Sequence, residues 1–131
     1  MSSKITLVRI RKTNETNVNE QLQWFGNSLG LFNLRDKDSS CFRVFITLIR
    51  TAKRNEPLTS DTIAERLRLS RGTVVHHLTK LIEAGIVVHE QEGYLLREPS
   101  LSDMVHDIKR DMEAAIEELE KVAKEIDERL G

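Results

Sequence analysis

Two adjacent histidines, His76 and His77, are the residues whose types most directly suggest chemistry; they lie in SRGTVVHHLTKLIEAG, residues 70–85. Neutral imidazole is a common metal ligand. Consecutive residues of a helix, however, point about 100° apart, whereas metal-binding pairs are spaced i,i+3 or i,i+4. We therefore expect His76 to point outward, where it can bond a base edge or a phosphate. His77 is expected to be half-buried and bonded to a backbone carbonyl or to a neighbouring helix.

Other candidates for metal or catalytic chemistry are weaker. Asp103 and His106 form an isolated i,i+3 pair, and we expect His89 and His106 at the surface. The single cysteine, Cys41, lies in an apolar run, so we expect it to be buried; it excludes an internal disulfide and fits a reducing compartment. The sequence has no phosphate-binding glycine loop and no nucleophile–base arrangement. We predict no enzymatic activity, no cofactor and no metal.

The outer face of residues 70–85 favours DNA binding instead. It carries short and basic side chains, and residues 70–82 contain no Asp or Glu. Arg71 can bind guanine or phosphate, Gly72 allows the backbone to approach a duplex closely, and Lys80 suits a phosphate. Thr73 and Val75 can contact thymine methyl groups. The predicted DNA-binding residues are Ser70, Arg71, Gly72, Thr73, Val75, His76, Lys80 and Arg97.

Helix caps and apolar spacing predict the elements that position this face. Ser70 caps a helix that runs to Ala84 and ends at Gly85. A short helix precedes it, with Thr59 as its N-cap and Asp61 in its first turn. Residues 86–89 and 94–97 form two strands of a hairpin around residues 91–93. The buried stripe of the 70–84 helix is Val74, Leu78, Leu81 and Ile82.

The N-terminal third is predicted to contain two helices. Residues 4–11 form a short strand or an extended arm, and residues 13–19 form a loop. A helix over 18–32 is indicated by apolar residues at intervals of 4, 3, 4 and 3, namely Val18, Leu22, Phe25, Leu29 and Phe32. A polar break over 36–40 ends in an N-cap, and a strongly apolar helix of about 40–54 follows.

The last segment has the most regular pattern of the chain. Apolar residues alternate at spacings of 4 and 3 over more than three heptads, which is the seam of a coiled coil. We expect this seam to pair with its copy in a second chain, although packing on the N-terminal helix is compatible with the same pattern. The predicted dimerisation residues are Leu101, Val105, Ile108, Met112, Ala115, Leu119, Val122 and Ile126.

The stretch LTSDTIAERLRLSRGTVVHHLTKLIEAGIVV, residues 58–88, resembles the helix-turn-helix of winged-helix regulators of the ArsR and MarR type. The resemblance covers residues 38–97, and the flanking helices are similar to the ArsR plan, in which terminal helices form the dimer interface. It implies operator binding and control of transcription. The hairpin departs from this picture, because Glu90 and Glu92 would be repelled by phosphate.

These observations combine into one expected architecture, mainly α with a small β-hairpin: a winged helix-turn-helix with an N-terminal helix and a long C-terminal dimerisation helix. The expected divisions are 1–37, 38–98 and 99–131. The net charge of −1 is unevenly distributed along the chain: residues 1–54 carry a net charge of +6, and residues 98–131 carry a net charge of −6. We expect a cytoplasmic homodimer that binds double-stranded DNA, and a protein-interaction module that never meets DNA is the alternative.

Overall fold

The structure is a computed structural model, and it describes residues 6–10, 17–32 and 39–131. It confirms the predicted fold class, with five helices and one antiparallel hairpin in the described part of the chain. The elements are α1 (Val18–Ser28), α2 (Ser40–Ala52), α3 (Ser60–Leu67), α4 (Arg71–Glu83), β1 (Val87–Glu90), β2 (Gly93–Leu96) and α5 (Leu101–Leu130). Two compact units are distinguished, residues 1–99 and residues 100–131. The predicted separation of residues 1–37 from 38–98 stays a prediction.

The core of the first unit lies around α2, α3 and α4. Phe45 and Leu48 of α2 are fully buried, as are Ile63 of α3 and Leu78 of α4. Cys41 is also buried, as its apolar surroundings predicted, and its Sγ lies 3.4 Å from the carbonyl oxygen of Leu31. Burial of these apolar side chains is the main force that holds the three helices together.

Helix α1 is shorter than its apolar spacing predicted. It ends at Ser28, because Gly30 adopts φ +68° and the backbone N–H of Leu31 turns back to the carbonyl of Gly26. Phe32 therefore lies beyond the helix, where its ring packs edge-on against Phe42 of α2 at a centroid distance of 5.3 Å. Of the five apolar residues in this spacing, Leu29 is buried, Leu22, Phe25 and Phe32 are half-buried, and Val18 is 63% exposed. The glycine ends the helix before the last of them.

The described part of the N-terminal segment, residues 6–10, is an arm without strand pairing. The Val8 N–H donates to the Ser28 carbonyl at 2.8 Å, and the Trp24 indole donates to the Ile10 carbonyl at 3.2 Å. The predicted ends of this arm, the loop over 13–16 and the polar break over 36–38 lie outside the described residues. Within the described ranges, no helix is long and apolar enough to cross a membrane.

The start of α2 differs from the prediction that the last residue of the polar break is the N-cap. The helix begins at Ser40, and its N-cap is Ser39, whose side chain makes no capping hydrogen bond. The Ser40 hydroxyl instead lies 2.6 Å from Nε2 of His77 in α4. This serine therefore joins two helices rather than capping one.

Candidate nucleic-acid interface

The turn between α3 and α4 is built by local capping at both helix starts. Thr59 Oγ1 accepts the Thr62 N–H at 3.1 Å, and Ser70 Oγ accepts the Thr73 N–H at 3.1 Å. Both caps were predicted from sequence, and both satisfy a backbone donor that the first helical turn leaves unpaired. Two capped helices separated by three residues are the geometry of a helix-turn-helix.

Hydrogen bonds from the end of α3 and from α2 hold the turn between α3 and α4. Arg68 ends α3 in the left-handed conformation at φ 56°, and the Leu69 N–H donates to the Ala64 carbonyl at 3.0 Å. From α2, the Arg43 guanidinium donates to the Leu67 carbonyl, one of the orphan carbonyls at the end of α3. The angle at which α4 leaves α3 is therefore supported by backbone and side-chain hydrogen bonds.

Helix α4 turns its predicted stripe inward and its predicted DNA-facing residues outward. Val74, Leu78 and Leu81 are buried, and Ile82 is half-buried. The exposed residues are Ser70, Arg71, Gly72, Val75, His76, Thr79 and Lys80, and Thr73 is half-buried. Seven of the eight predicted site residues thus lie together on α4 and its cap, and the segment 70–82 contains no acidic residue. The eighth, Arg97, follows β2 and is half-buried.

The two histidines of α4 separate as the helical geometry predicts. His76 is exposed, whereas His77 is half-buried and shares the hydrogen bond with Ser40 on the neighbouring helix α2. The expected bond of His77 to a neighbouring helix is confirmed. Among the described residues, no group of three or more His, Cys, Asp or Glu side chains is arranged to hold a metal ion. Asp103 and His106 are both exposed on α5.

An ion pair that the sequence did not predict connects the two helices of the motif. Asp61 Oδ1 of α3 lies 3.4 Å from Nε of Arg71, the first residue of α4. The sequence pattern assigns Asp61 only to the dipole of its own helix. The signal that could have identified the pair is an acidic residue at the start of one helix and a basic residue at the start of the next.

The hairpin is short, and its tip is acidic. β1 and β2 pair antiparallel in a register that sets His89 opposite Tyr94, and their rings stack at a centroid distance of 3.9 Å. The turn between the strands is Gln91–Glu92, and both Glu90 and Glu92 are exposed. Tyr94 also pairs with Leu58 through two backbone hydrogen bonds of 2.7 and 2.9 Å. Leu58 thus forms an isolated antiparallel bridge to β2, which the sequence pattern did not predict.

Helix α5 presents an apolar stripe over its C-terminal half. Of the predicted seam, Leu101 and Met112 are half-buried, Ile108 is buried, and Val105 is exposed. Every residue from Glu113 to Gly131 is exposed. The exposed stripe residues of this half are Ala115, Ile116, Leu119, Val122, Ile126 and Leu130. The helix starts at the Ser100 cap, which accepts the Asp103 N–H at 3.1 Å.

Residues 38–90 match a protein-family model described as a helix-turn-helix domain. No match was found among curated proteins or among solved structures. The matched range contains α2, α3, α4 and β1, the elements that build the turn and present the exposed face of α4. Residues 38–90 are therefore similar to a helix-turn-helix domain, which supports a DNA-binding domain at this place in the chain.

Proposed function

We propose that this protein is a sequence-specific regulator of transcription that binds double-stranded DNA as a homodimer and represses by blocking polymerase. The observation that carries the proposal is the outer face of α4. This face begins directly after a capped tight turn, is exposed, and has no acidic residue from 70 to 82. Such a face suits the negatively charged major groove of DNA, whose width of about 12 Å admits one helix.

The side chains of this face divide into base-reading and phosphate-binding candidates. Arg71, at the first turn, can bind guanine through two parallel hydrogen bonds, and Lys80, two and a half turns later, suits a phosphate. Beyond the local backbone of α4, no atom of the described residues lies within 4 Å of the position that a Cβ of Gly72 would take, so packing does not require a glycine here. Without a side chain, the backbone at Gly72 can approach the duplex closely. Thr73 Oγ1 accepts a hydrogen bond from Ser70 Oγ at 2.8 Å, and its methyl group is the candidate contact to thymine.

The exposed stripe of α5 supports a second copy of the chain as partner. Leu119 is 69% exposed and Val122 and Ile126 about half exposed, although all three belong to a regular heptad seam. Burying a fully exposed apolar side chain of this kind contributes about 1.5–3 kcal/mol, and each of these three side chains would gain the part that corresponds to its exposed fraction. In the proposed dimer, two copies of α4 enter successive major grooves about 34 Å apart on a pseudo-palindromic site.

The acidic hairpin favours a second candidate function. Exposed Glu90 and Glu92 at the tip would be repelled by DNA phosphates, as expected for a module that binds a protein instead. In the proposed DNA complex, this tip stays away from the sugar–phosphate backbone of the DNA. The half-buried Arg97 and Tyr94 are then the residues of the hairpin region that lie nearest to the DNA backbone. The two candidates differ in one measurable property, which is binding to DNA.

The deciding experiment selects bound fragments from a genomic DNA library and measures their affinity by fluorescence anisotropy over a salt series. Affinity is expected to fall about 10³–10⁵-fold between about 50 and 200 mM salt, if the dimer makes on the order of six to ten phosphate contacts. The double variant Arg71→Ala, Lys80→Ala should abolish binding.

A matched control is Lys121→Ala, Lys124→Ala, which removes the same charge from exposed positions of α5 outside its seam. This control should bind as the wild type does. Unchanged binding by the Arg71, Lys80 variant would show that α4 is not the recognition helix. A wild-type protein that enriches no DNA fragment would favour the protein-interaction module.

A further inference from the structure

We propose that Asp61 is a specificity-determining residue that acts through Arg71: it orients the Arg71 guanidinium so that the two terminal nitrogens bind one guanine. The inference rests on the proposed function, because it concerns how α4 reads DNA. It assigns to α3 a part in base recognition, although Asp61 itself touches no base.

The geometry of the pair supports this role. Asp61 is the second residue of α3 and Arg71 the first of α4, so the contact spans the turn of the motif. The carboxylate oxygen lies 3.4 Å from Nε, the nitrogen nearest the side-chain stem. A guanidinium has five N–H donors in a rigid planar fork. A partner at Nε restrains the plane of this fork, and its two terminal nitrogens remain available for the two acceptors of guanine.

Stability does not account for the pair. The side chains of Arg71 and Asp61 are 71% and 73% exposed, and ion pairs in such surroundings contribute little to folding. A long, exposed arginine has many rotamers, and binding DNA must restrict them at an entropic cost. The Asp61 carboxylate restricts them before binding, which lowers that cost for the one orientation that fits guanine.

Charge gives the pair a second, opposite effect on binding. A carboxylate beside the DNA-facing surface repels the phosphates of every duplex equally. Asp61 is therefore expected to lower affinity for all sequences while raising the preference for one base. A purely electrostatic role would produce the first effect without the second, so the two can be separated.

The experiment selects binders from a pool of random duplexes of about 20 base pairs, long enough for two half-sites one helical turn apart. Wild type, Asp61→Asn, Arg71→Ala and the double variant are compared, with Glu65→Gln as the matched control. Glu65 is exposed on the same helix, so the control loses the same charge. Thermal unfolding followed by circular dichroism verifies that each variant is folded.

We expect the wild type to prefer guanine at one position of each half-site, and Arg71→Ala to lose this preference. Asp61→Asn should bind the pool more tightly than wild type, yet its preference for guanine at that position should fall about two- to fivefold, the range that an exposed ion pair can supply. The double variant should show the same base preference as Arg71→Ala alone, because Asp61 acts only through Arg71. Asp61→Glu, which keeps the carboxylate, should restore part of the guanine preference. Glu65→Gln should raise affinity without changing any base preference.

Retention of the full guanine preference by Asp61→Asn would overturn the assignment while leaving the proposed function intact. The assignment is also wrong if Asp61→Asn and Glu65→Gln change base preference equally. A wild-type protein that enriches no duplex refutes the proposed function, and the role of Asp61 falls with it.

Discussion

Replacing His77 by alanine should destabilise the protein, whereas the same change at His76 should not. His77 is half-buried, and its Nε2 lies 2.6 Å from Oγ of Ser40, a residue only 3% exposed. This hydrogen bond connects the middle of α4 to the first residue of α2, 37 positions earlier. His76 is exposed on a different side of the same turn. The two variants therefore differ in tertiary contacts while the chemistry of the substitution is the same.

The expected cost follows from these contacts. A typical intramolecular hydrogen bond contributes about 0.5–1.5 kcal/mol, and truncating a half-buried ring removes further packing. We expect His77→Ala to lower the free energy of unfolding by about 1–2.5 kcal/mol. A surface substitution such as His76→Ala should change it by less than about 0.5 kcal/mol.

Urea unfolding followed by circular dichroism measures the difference. With a slope of about 1–3 kcal/mol per molar urea, the midpoint of His77→Ala should fall by about 0.3–2.5 M. All variants must be compared at one protein concentration, because the stability of the proposed dimer would depend on it. A double-mutant cycle with Ser40→Ala should give a coupling energy of about 1 kcal/mol between the two side chains.

Two results would refute this reasoning. If His76→Ala and His77→Ala unfold at the same urea concentration, the bond to Ser40 contributes nothing measurable. If the losses of unfolding free energy in Ser40→Ala and His77→Ala are fully additive, the loss in His77→Ala comes from packing alone.

In a DNA-binding assay with a selected duplex, His76→Ala should bind more weakly than wild type at unchanged stability.

Three further changes test other parts of the molecule. Gly93→Ala should lower the free energy of unfolding by about 2–4 kcal/mol, measured by urea unfolding, because Gly93 has φ +144° and a Cβ there would lie 2.6 Å from the Leu58 backbone. An unchanged free energy would contradict the close approach of Leu58 to the hairpin. Gly72→Ala should instead raise helix stability by up to about 1 kcal/mol while weakening DNA binding, and unchanged affinity would argue against a close backbone approach. Leu119→Asp should shift the proposed dimer to monomer in light scattering, whereas Lys121→Asp, outside the seam, should not.

Much of the fold could be predicted because its determinants are local. A cap and the N–H it accepts lie three residues apart, so Thr59 and Ser70 could be assigned as caps from the residues that follow them. Buried stripes recur every three or four residues, which identified the inner face of α4 and hence its outer face. The same reasoning placed His76 and His77 on different sides of the helix.

The contacts that join separate elements could not be predicted in this way. The partners of Ser40 and Asp61 depend on how the helices cross, and the end of α1 at Ser28 depends on a turn that periodicity does not register. In a polar break, a serine and its neighbour are equally plausible caps. The crossing of α2 and α4 decided that the Ser40 hydroxyl would bond to His77.

Local sequence therefore determined where α3 and α4 begin, which face of α4 is buried and which of its residues remain exposed, because these properties depend on neighbours within one helical turn. Packing of the helices decided which exposed residues act together. Asp61 and Arg71 are ten residues apart in the chain and become partners only because the turn brings the starts of α3 and α4 together.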